Sequence, residues 1–247
     1  MAGYKNVFKR VEKKYRLSRS QVDIILPMLE RYMVVDKYGL TTICNIYFDT
    51  LDYKMIRQSI EKPAYKEKLR LRCYNVPRGD SPAFVELKKK VVGTVYKRRI
   101  AMPYDEAVEF LAERKIKTQT QITKEIEYVI DFYKPSPRVA LFYDRIAMYG
   151  KEDKELRITI DSNMKWRTDE LDLKLGSHGR YIDEEDTCIL EIKVANAVPL
   201  WFSSMMSELK IYQTSFSKYG TAYKKYICKE AFARNKEKTL KGNEFYV

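Results

Sequence analysis

The residues able to do chemistry stand at alternate positions of a few short stretches. In Lys68–Tyr74 (KLRLRCY), Arg70 and Arg72 are two residues apart. In Phe84–Lys90 (FVELKKK), so are Glu86 and Lys88. Alternate side chains of a β-strand point to opposite faces. Each stretch therefore carries a charged face, opposed by Leu69, Leu71 and Cys73 in the first and by Val85 and Leu87 in the second. A half-buried strand ordinarily keeps its charges in water. Here the pattern recurs. Leu156–Asp161 (LRITID) sets Arg157, Thr159 and Asp161 on one side, and Leu190–Val194 (LEIKV) sets Glu191 and Lys193. Phe142–Ile146 (FYDRI) sets Tyr143 and Arg145, and Lys9–Leu17 (KRVEKKYRL) sets Arg10, Glu12, Lys14 and Arg16. Such repetition predicts a shared cationic site, which a barrel with polar side chains lining its bore would assemble.

Arg70, Arg72, Lys88, Lys97, Arg99, Arg145, Arg157 and Lys193 all project from strand positions in this reading, with Lys14 and Lys218 closing the ends. Like charges 4 Å apart repel by about 4 kcal/mol at an effective dielectric near 20. Either Glu12, Asp49, Glu86, Asp161 and Glu191 neutralise the cations, or a phosphate chain does. Arginine forks match phosphate oxygens bidentately and lysine adds point charge. A carboxylate beside a triphosphate holds Mg2+ or Mn2+, hard cations that take oxygen ligands. Glu191, two residues from Lys193, is the first choice for that role; a plain ion pair with a neighbouring strand's arginine is the alternative.

Composition narrows the chemistry further. The 247 residues carry a net charge of +13, which points to a polyanionic partner. The one histidine, His178, lies in a glycine-flanked loop (GSHG), so neither a histidine base nor a Ser/His/Asp or Cys/His arrangement is expected. No GxxxxGK[ST] loop is present. Cys44, Cys73, Cys188 and Cys228 are widely spaced and read as reduced cysteines of a cytoplasmic protein, not as a zinc site. Aromatic stacking on single-stranded nucleic acid remains open, with 20 tyrosines available. Sequence-specific DNA reading is disfavoured, because a chain of phosphates offers no base edges. The polar start argues against a signal peptide, and no apolar run approaches the ~18 residues of a membrane span. Any membrane association would be peripheral, at the inner face, or through a membrane-protein partner.

The elements that must position these residues read as alternating strands and short helices. Strands are predicted over Lys9–Leu17, Thr41–Thr50, Ala64–Asn75, Ala83–Val92, Thr94–Met102, Arg138–Tyr149, Glu155–Asp161 and Cys188–Ala195. Gly93 breaks the pattern between two of them. Ser18 caps a helix bearing Val22, Ile25, Leu26, Leu29 and Met33, with Pro27 inside it. Asp52–Ser59 is a short helix or irregular. Pro103–Arg114, with Asp105 as cap, and a stripe from Ile122 to Tyr133 are amphipathic helices. Arg167–Thr187 reads as a polar surface excursion, Pro199–Ile211 as helical, and Ser217 begins a last helix to about Ala233. The reading is one domain over residues 1–247, with 234–247 a frayed tail.

Nine pieces in this order resemble the vacuolar transporter chaperone (VTC) domain, a polyphosphate polymerase module of the CYTH-like triphosphate tunnel metalloenzyme superfamily. They are EKKY (Glu12–Tyr15), NIYFDT (Asn45–Thr50), KLRLRCY, FVELK, VYKRR (Val95–Arg99), FYDR (Phe142–Arg145), LRITID, LEIKV and SFSKYG (Ser215–Gly220). The resemblance spans Phe8 to Tyr226. It implies an α+β fold, an antiparallel eight-stranded β-barrel (the triphosphate tunnel) with helices packed outside. It implies transfer of the ATP γ-phosphate to a growing polyphosphate chain, with Mn2+ or Mg2+. Carried onto matching positions, the phosphate ligands are Lys14, Arg70, Arg72, Lys88, Lys97, Arg99, Arg145, Arg157, Ser217 and Lys218, with Tyr143 hydrogen-bonding phosphate and Glu191 holding the metal. Eukaryotic relatives have a further lysine where this chain has Ser215, which bears on the product-exit end. They also carry phosphate-sensing and transmembrane domains, so this chain resembles a stand-alone, prokaryote-type version. The same clamp would serve a tunnel-type triphosphate hydrolase or nucleotide cyclase, or a non-catalytic polyanion-binding module. The sequence does not choose an oligomeric state.

Overall fold

The computed structural model describes residues 11–92 and 94–230. The predicted strand positions Lys9 and Arg10, the Gly93 break, the last helix beyond 230 and the 234–247 tail lie outside the described residues. The chain is α+β and antiparallel, as the family resemblance implies. Its eight long strands are β1 (Val11–Leu17), β2 (Met33–Asp49), β3 (Tyr65–Tyr74), β4 (Pro82–Val91), β5 (Thr94–Pro103), β6 (Ser136–Gly150), β7 (Arg157–Arg167) and β9 (Cys188–Val194). Two two-residue strands, β8 (Arg180–Tyr181) and β10 (Gln213–Thr214), complete the set. The predicted barrel is not closed by hydrogen bonds among the described residues: the pairings run as a path that ends at β10 and β5. A strand as short as β10 has no ladder left to extend.

The residues divide into two compact units. The first comprises 11–43, Phe142–Met164 and Glu184–Phe216, and its strands run in the order β10-β1-β9-β7-β6-β2. Its core is Tyr15, Leu17, Ile158, Ile160, Leu190 and Ile192 from strands, packed with Ile25 and Leu29 of α1 (Arg19–Leu29). Phe202, Met205 and Met206 of α5 (Leu200–Glu208) complete it. The Ser18 side chain accepts from Gln21 N while Gln21 reaches back to Ser18 N, a reciprocal cap that starts α1 where expected. Met33 begins β2 instead of extending α1, because α1 stops at Leu29. Its apolar side chain suits either period.

The second unit comprises Cys44–Leu141, Lys165–Asp183 and 217–230. Here β6, β2, β3, β4 and β5 are successive neighbours, and β8 pairs with β7. Leu69, Leu71, Val85 and Leu87 are fully buried, together with Phe110 of α3 (Tyr104–Glu113) and with Ile126 and Val129 of α4 (Gln121–Tyr133). Asp105 lies in the first turn of α3 and does not cap it; Pro103 occupies the cap position without a side-chain bond. α2 (Lys54–Ile60) and α6 (Lys218–Ala222) follow β2 and β10 in the chain.

The predicted surface excursion lies largely at the surface, as expected, but is anchored by a few buried side chains. Arg167 is buried, and its guanidinium donates to the carbonyls of Glu170, Asp172, Gly176 and His178 at 2.9–3.0 Å. Leu173 and Ile182 are fully buried inside it. Gly179 adopts φ +155° with its Cα against the Trp166 carbonyl, where a Cβ would lie 2.6 Å from the oxygen. His178 stays exposed and pairs with Glu170 at 2.9 Å.

Candidate functional site

The register of β3, β4 and β5 turns the alternating charges into rows. Lys68 lies opposite Lys88, and Lys88 opposite Lys97. One step along, Arg70 lies opposite Glu86, and Glu86 opposite Arg99. Lys66 pairs with Lys90 on one side of these rows, and Arg72 with Phe84 on the other. Among the described residues of this face, Glu86 is the one acid. Its carboxylate accepts Arg70 Nε on Oε2 and Arg99 Nε on Oε1, each at 2.6 Å. Lys97 Nζ is 2.8 Å away and Arg72 Nε 3.9 Å. Burial pushes the Glu86 carboxyl up, but Arg70, Arg72 and Lys97 overrule it and hold it far below the usual carboxylate range. Glu86 is 2% exposed and Arg72 6%, so the centre of the cluster is buried, whereas Lys88 and Lys97 at its edge are exposed.

β2 braces the same arginines. Asn45 Oδ1 accepts Arg72 Nε at 2.9 Å while its amide donates to the Leu141 carbonyl at 3.0 Å. The Tyr47 hydroxyl accepts from Arg70 Nη1 at 3.0 Å. Asp49, expected to neutralise cations, instead receives the backbone N–H groups of Met55 and Ile56 at the start of α2. It also accepts the Tyr219 hydroxyl at 2.9 Å. Helix-start N–H groups lack intrahelical partners, which is why an acid is held there. Ser217 caps α6, accepting from Gly220 N at 3.2 Å, and Lys218 is its first residue.

The first unit carries a second cluster of different balance. Glu12 on β1 lies opposite Lys193 on β9, and Lys14 opposite Glu191. Two Glu-x-Lys dipeptide spacings on antiparallel strands thereby form a checkerboard. Lys14 Nζ is 3.3 Å from both carboxylates, and Lys193 Nζ is 2.6 Å from Glu191. Burial pushes Glu191 up, but Lys193, Lys14 and Arg145 hold it low, at about 2. On β7, Arg157 stands opposite Lys193, and Thr159, whose buried hydroxyl has no partner among the described residues, stands opposite Glu191. Arg145 on β6 forks Asp161 on β7 at 2.6 and 2.8 Å, beside the ring of buried Tyr143.

The structure thus gathers Arg70, Arg72, Lys97 and Arg99 around Glu86 in one unit, with Lys88 exposed in the next row. In the other it gathers Lys14 and Lys193 around Glu191 and Arg145 against Asp161, while Arg157 is exposed, its guanidinium over the Tyr149 ring. Sequence reading missed Lys66, Lys68 and Lys90, although all three keep the parity of Arg70 and Lys88. It also missed Asn45 and Tyr47, which no charge marks.

Glu191, Glu12 and the Thr159 hydroxyl are the oxygen donors of this cluster that a hard divalent cation would take. Among the described residues no group of three or more His, Cys, Asp and Glu forms a protein-only metal cage. The donor set fits a cation that completes its shell with phosphate oxygens and water, the usual manner of Mg2+.

Comparison with known proteins bears on the fold and the family. A protein from Bacillus halodurans assigned as an adenylate cyclase is 13% identical, with 84% of this chain and 93% of that chain covered and a TM-score of 0.55. A protein from Hippeastrum, assigned as an adenylyl cyclase and described as having a dominant triphosphatase activity, is 14% identical. The match covers 87% of this chain and 95% of that chain, with a TM-score of 0.55. These likenesses are of fold. No curated protein matches the chain. The family model described as the VTC domain matches residues 9–227, nearly the stretch over which the nine pieces of sequence run, and the chain belongs to the VTC domain family.

Proposed function

We propose that the chain is an ATP-dependent polyphosphate polymerase. The observation that carries this reading is the length and imbalance of the β3–β5 face. Lys66 to Arg72 spans about 20 Å of strand at ~3.3 Å per residue, further than three linked phosphates reach. Glu86 is its one acid among the described residues, so an elongated anion with many charges suits it better than a single nucleotide triphosphate.

In this reading Arg70, Arg72, Lys88, Lys97 and Arg99 bind the phosphate chain. Lys14, Arg145, Arg157 and Lys193 of the first unit, and Ser217 and Lys218 of the second, are further phosphate-binding candidates, with Tyr143 hydrogen-bonding phosphate. A terminal oxygen of the acceptor chain attacks the γ-phosphorus of ATP. The bond between that phosphorus and the β–γ bridging oxygen breaks, and ADP leaves with the electron pair. Fixed cations neutralise charge spread over the transferring group, so catalysis is positioning plus electrostatic stabilisation. Mn2+ or Mg2+ held by Glu191 would supply charge neutralisation to phosphate oxygens. Lys14 and Lys193, which otherwise occupy the Glu191 carboxylate, would then turn to phosphate.

The test is incubation with ATP and Mn2+ followed by chain-length-resolved product analysis. ADP and long phosphate chains are expected, and Arg70→Ala and Glu191→Ala should each abolish them. Free phosphate, pyrophosphate or cyclic nucleotide without polymer would assign the chain as a tunnel-type hydrolase or cyclase instead. Salt-sensitive polyphosphate binding without turnover would make it a binding module. Normal synthesis by both variants would overturn the residue assignments.

A further inference from the structure

The Asn45–Thr50 stretch brings to the cationic face one residue that the reading above leaves without a role. Tyr47 lies between Asn45, which fixes Arg72, and Asp49, which fixes the Tyr219 hydroxyl. Its ring packs on the Tyr219 ring with centroids 4.8 Å apart, and the Arg70 guanidinium sits 5.8 Å from its own ring centre. The phenol is thus held from two sides and has little freedom to move.

We propose that Tyr47 is a further phosphate-binding residue of this face, donating its hydroxyl hydrogen to a phosphoryl oxygen while its oxygen holds Arg70 in place. This rests on the phosphate reading of the β3–β5 face. The argument is one of donors and acceptors. A guanidinium has only N–H donors, so the Tyr47 oxygen must accept in its 3.0 Å contact with Arg70 Nη1. The hydroxyl hydrogen is therefore directed elsewhere, and among the described residues no acceptor takes it. Neither Lys68, Arg70 nor Arg72, the charged groups facing it from β3, can do so. Glu86 on β4 is committed to Arg70, Arg99 and Lys97. Asp49 on its own strand is committed to the start of α2 and to Tyr219. A phosphoryl oxygen brought in by the surrounding cations supplies the missing acceptor. Such a ligand would engage Arg70 and Tyr47 as a pair.

The same surroundings give the assignment a signature. Burial pushes the Tyr47 phenol up, but Arg70, Lys68 and Arg72 overrule it and bring it down to about 8. Above that pH the group loses its hydrogen and adds a negative charge facing the ligand. A bound phosphate chain disfavours that charge, so it should raise the ionisation midpoint.

Two measurements on the full chain test this with inorganic tripolyphosphate as probe. The first is calorimetric affinity between about pH 7 and about pH 9.5, the range in which a lowered phenol ionises. Wild type should weaken across it, and Tyr47→Phe should bind roughly tenfold more weakly at the lower end, the order expected for one lost charge-assisted hydrogen bond, with a flatter profile. The second compares tyrosinate absorbance. Against its burial, Arg99 and Arg72 lower the Tyr74 phenol too, so the signal of Tyr47 is the low-pH ionisation that wild type has and Tyr47→Phe lacks, and it should move upward when tripolyphosphate is added. Equal affinities and equal pH profiles for wild type and Tyr47→Phe, or a midpoint that tripolyphosphate does not move, would overturn the assignment to Tyr47. Wild type that binds no tripolyphosphate would overturn the phosphate reading of the face itself.

Discussion

Lys14 and Glu191 are direct cross-strand neighbours, their charged groups 3.3 Å apart, in a checkerboard completed by Glu12 and Lys193. That checkerboard matches two acids with two lysines, whereas the described residues of the β3–β5 face hold one acid, Glu86, beside many cations. The contrast lets each cluster be probed by a different perturbation.

Glu191 should make part of the chain's stability acid-labile. Its folded value is depressed from the ordinary 4.5 to about 2, so the contribution is fully present above about pH 4.5. It is lost as pH falls toward 2, because protonation is then forced on a group the fold prefers charged. Thermal unfolding of Glu191→Gln should fall less steeply across that window than wild type. Identical slopes would remove Glu191 from the balance.

Removing the hub of the arginine cluster should be costly in the absence of ligand. Glu86→Gln leaves Arg70, Arg99 and Lys97 without their shared carboxylate, and breaking a buried ion pair on one side costs about 3–5 kcal/mol. Added tripolyphosphate should restore more stability to the variant than to wild type. Melting curves with and without the anion check this, and a variant as stable as wild type in plain buffer would contradict it.

The lysine row should govern binding through charge alone. Lys68→Ala with Lys88→Ala should lower tripolyphosphate affinity and make it less sensitive to salt, since screening acts on the cations that remain. Asp23→Asn and Glu208→Gln, which stand in neither cluster, should change neither quantity beyond about twofold, the level of distant surface charges. Titrations at low and high ionic strength separate the two outcomes.

Arg167→Met should loosen the 168–180 loop while leaving the sheet intact. Four carbonyls lose their shared donor, and each buried unsatisfied group costs about 1–3 kcal/mol unless water reaches it. Limited proteolysis should cut that loop in the variant well before wild type. Equal protection would mean that Leu173 and Ile182 hold it unaided.

Much of this was legible from parity. Alternation placed Arg70 with Arg72 and Glu191 with Lys193, and the Ser18 cap marked where α1 begins. Register was not legible. That Lys68, Lys88 and Lys97 form a row follows from how two hairpins close, and no single stretch encodes it. Asp49 was misread because an acid among cations looks like a counter-ion, whereas its partners are backbone N–H groups with no sequence signal. Arg167 was hidden for the same reason, since its acceptors are carbonyls. Tyr47 and Asn45 are neutral, so a search by charge passes over them.

The acid-poor lysine row has a practical corollary for handling the protein. A face that carries so many cations should attract multivalent inorganic anions from any extract, and purified material should arrive with some still attached. Exhaustive dialysis into low-salt, phosphate-free buffer would strip them, and the sample should then melt earlier and clump more readily than before cleaning.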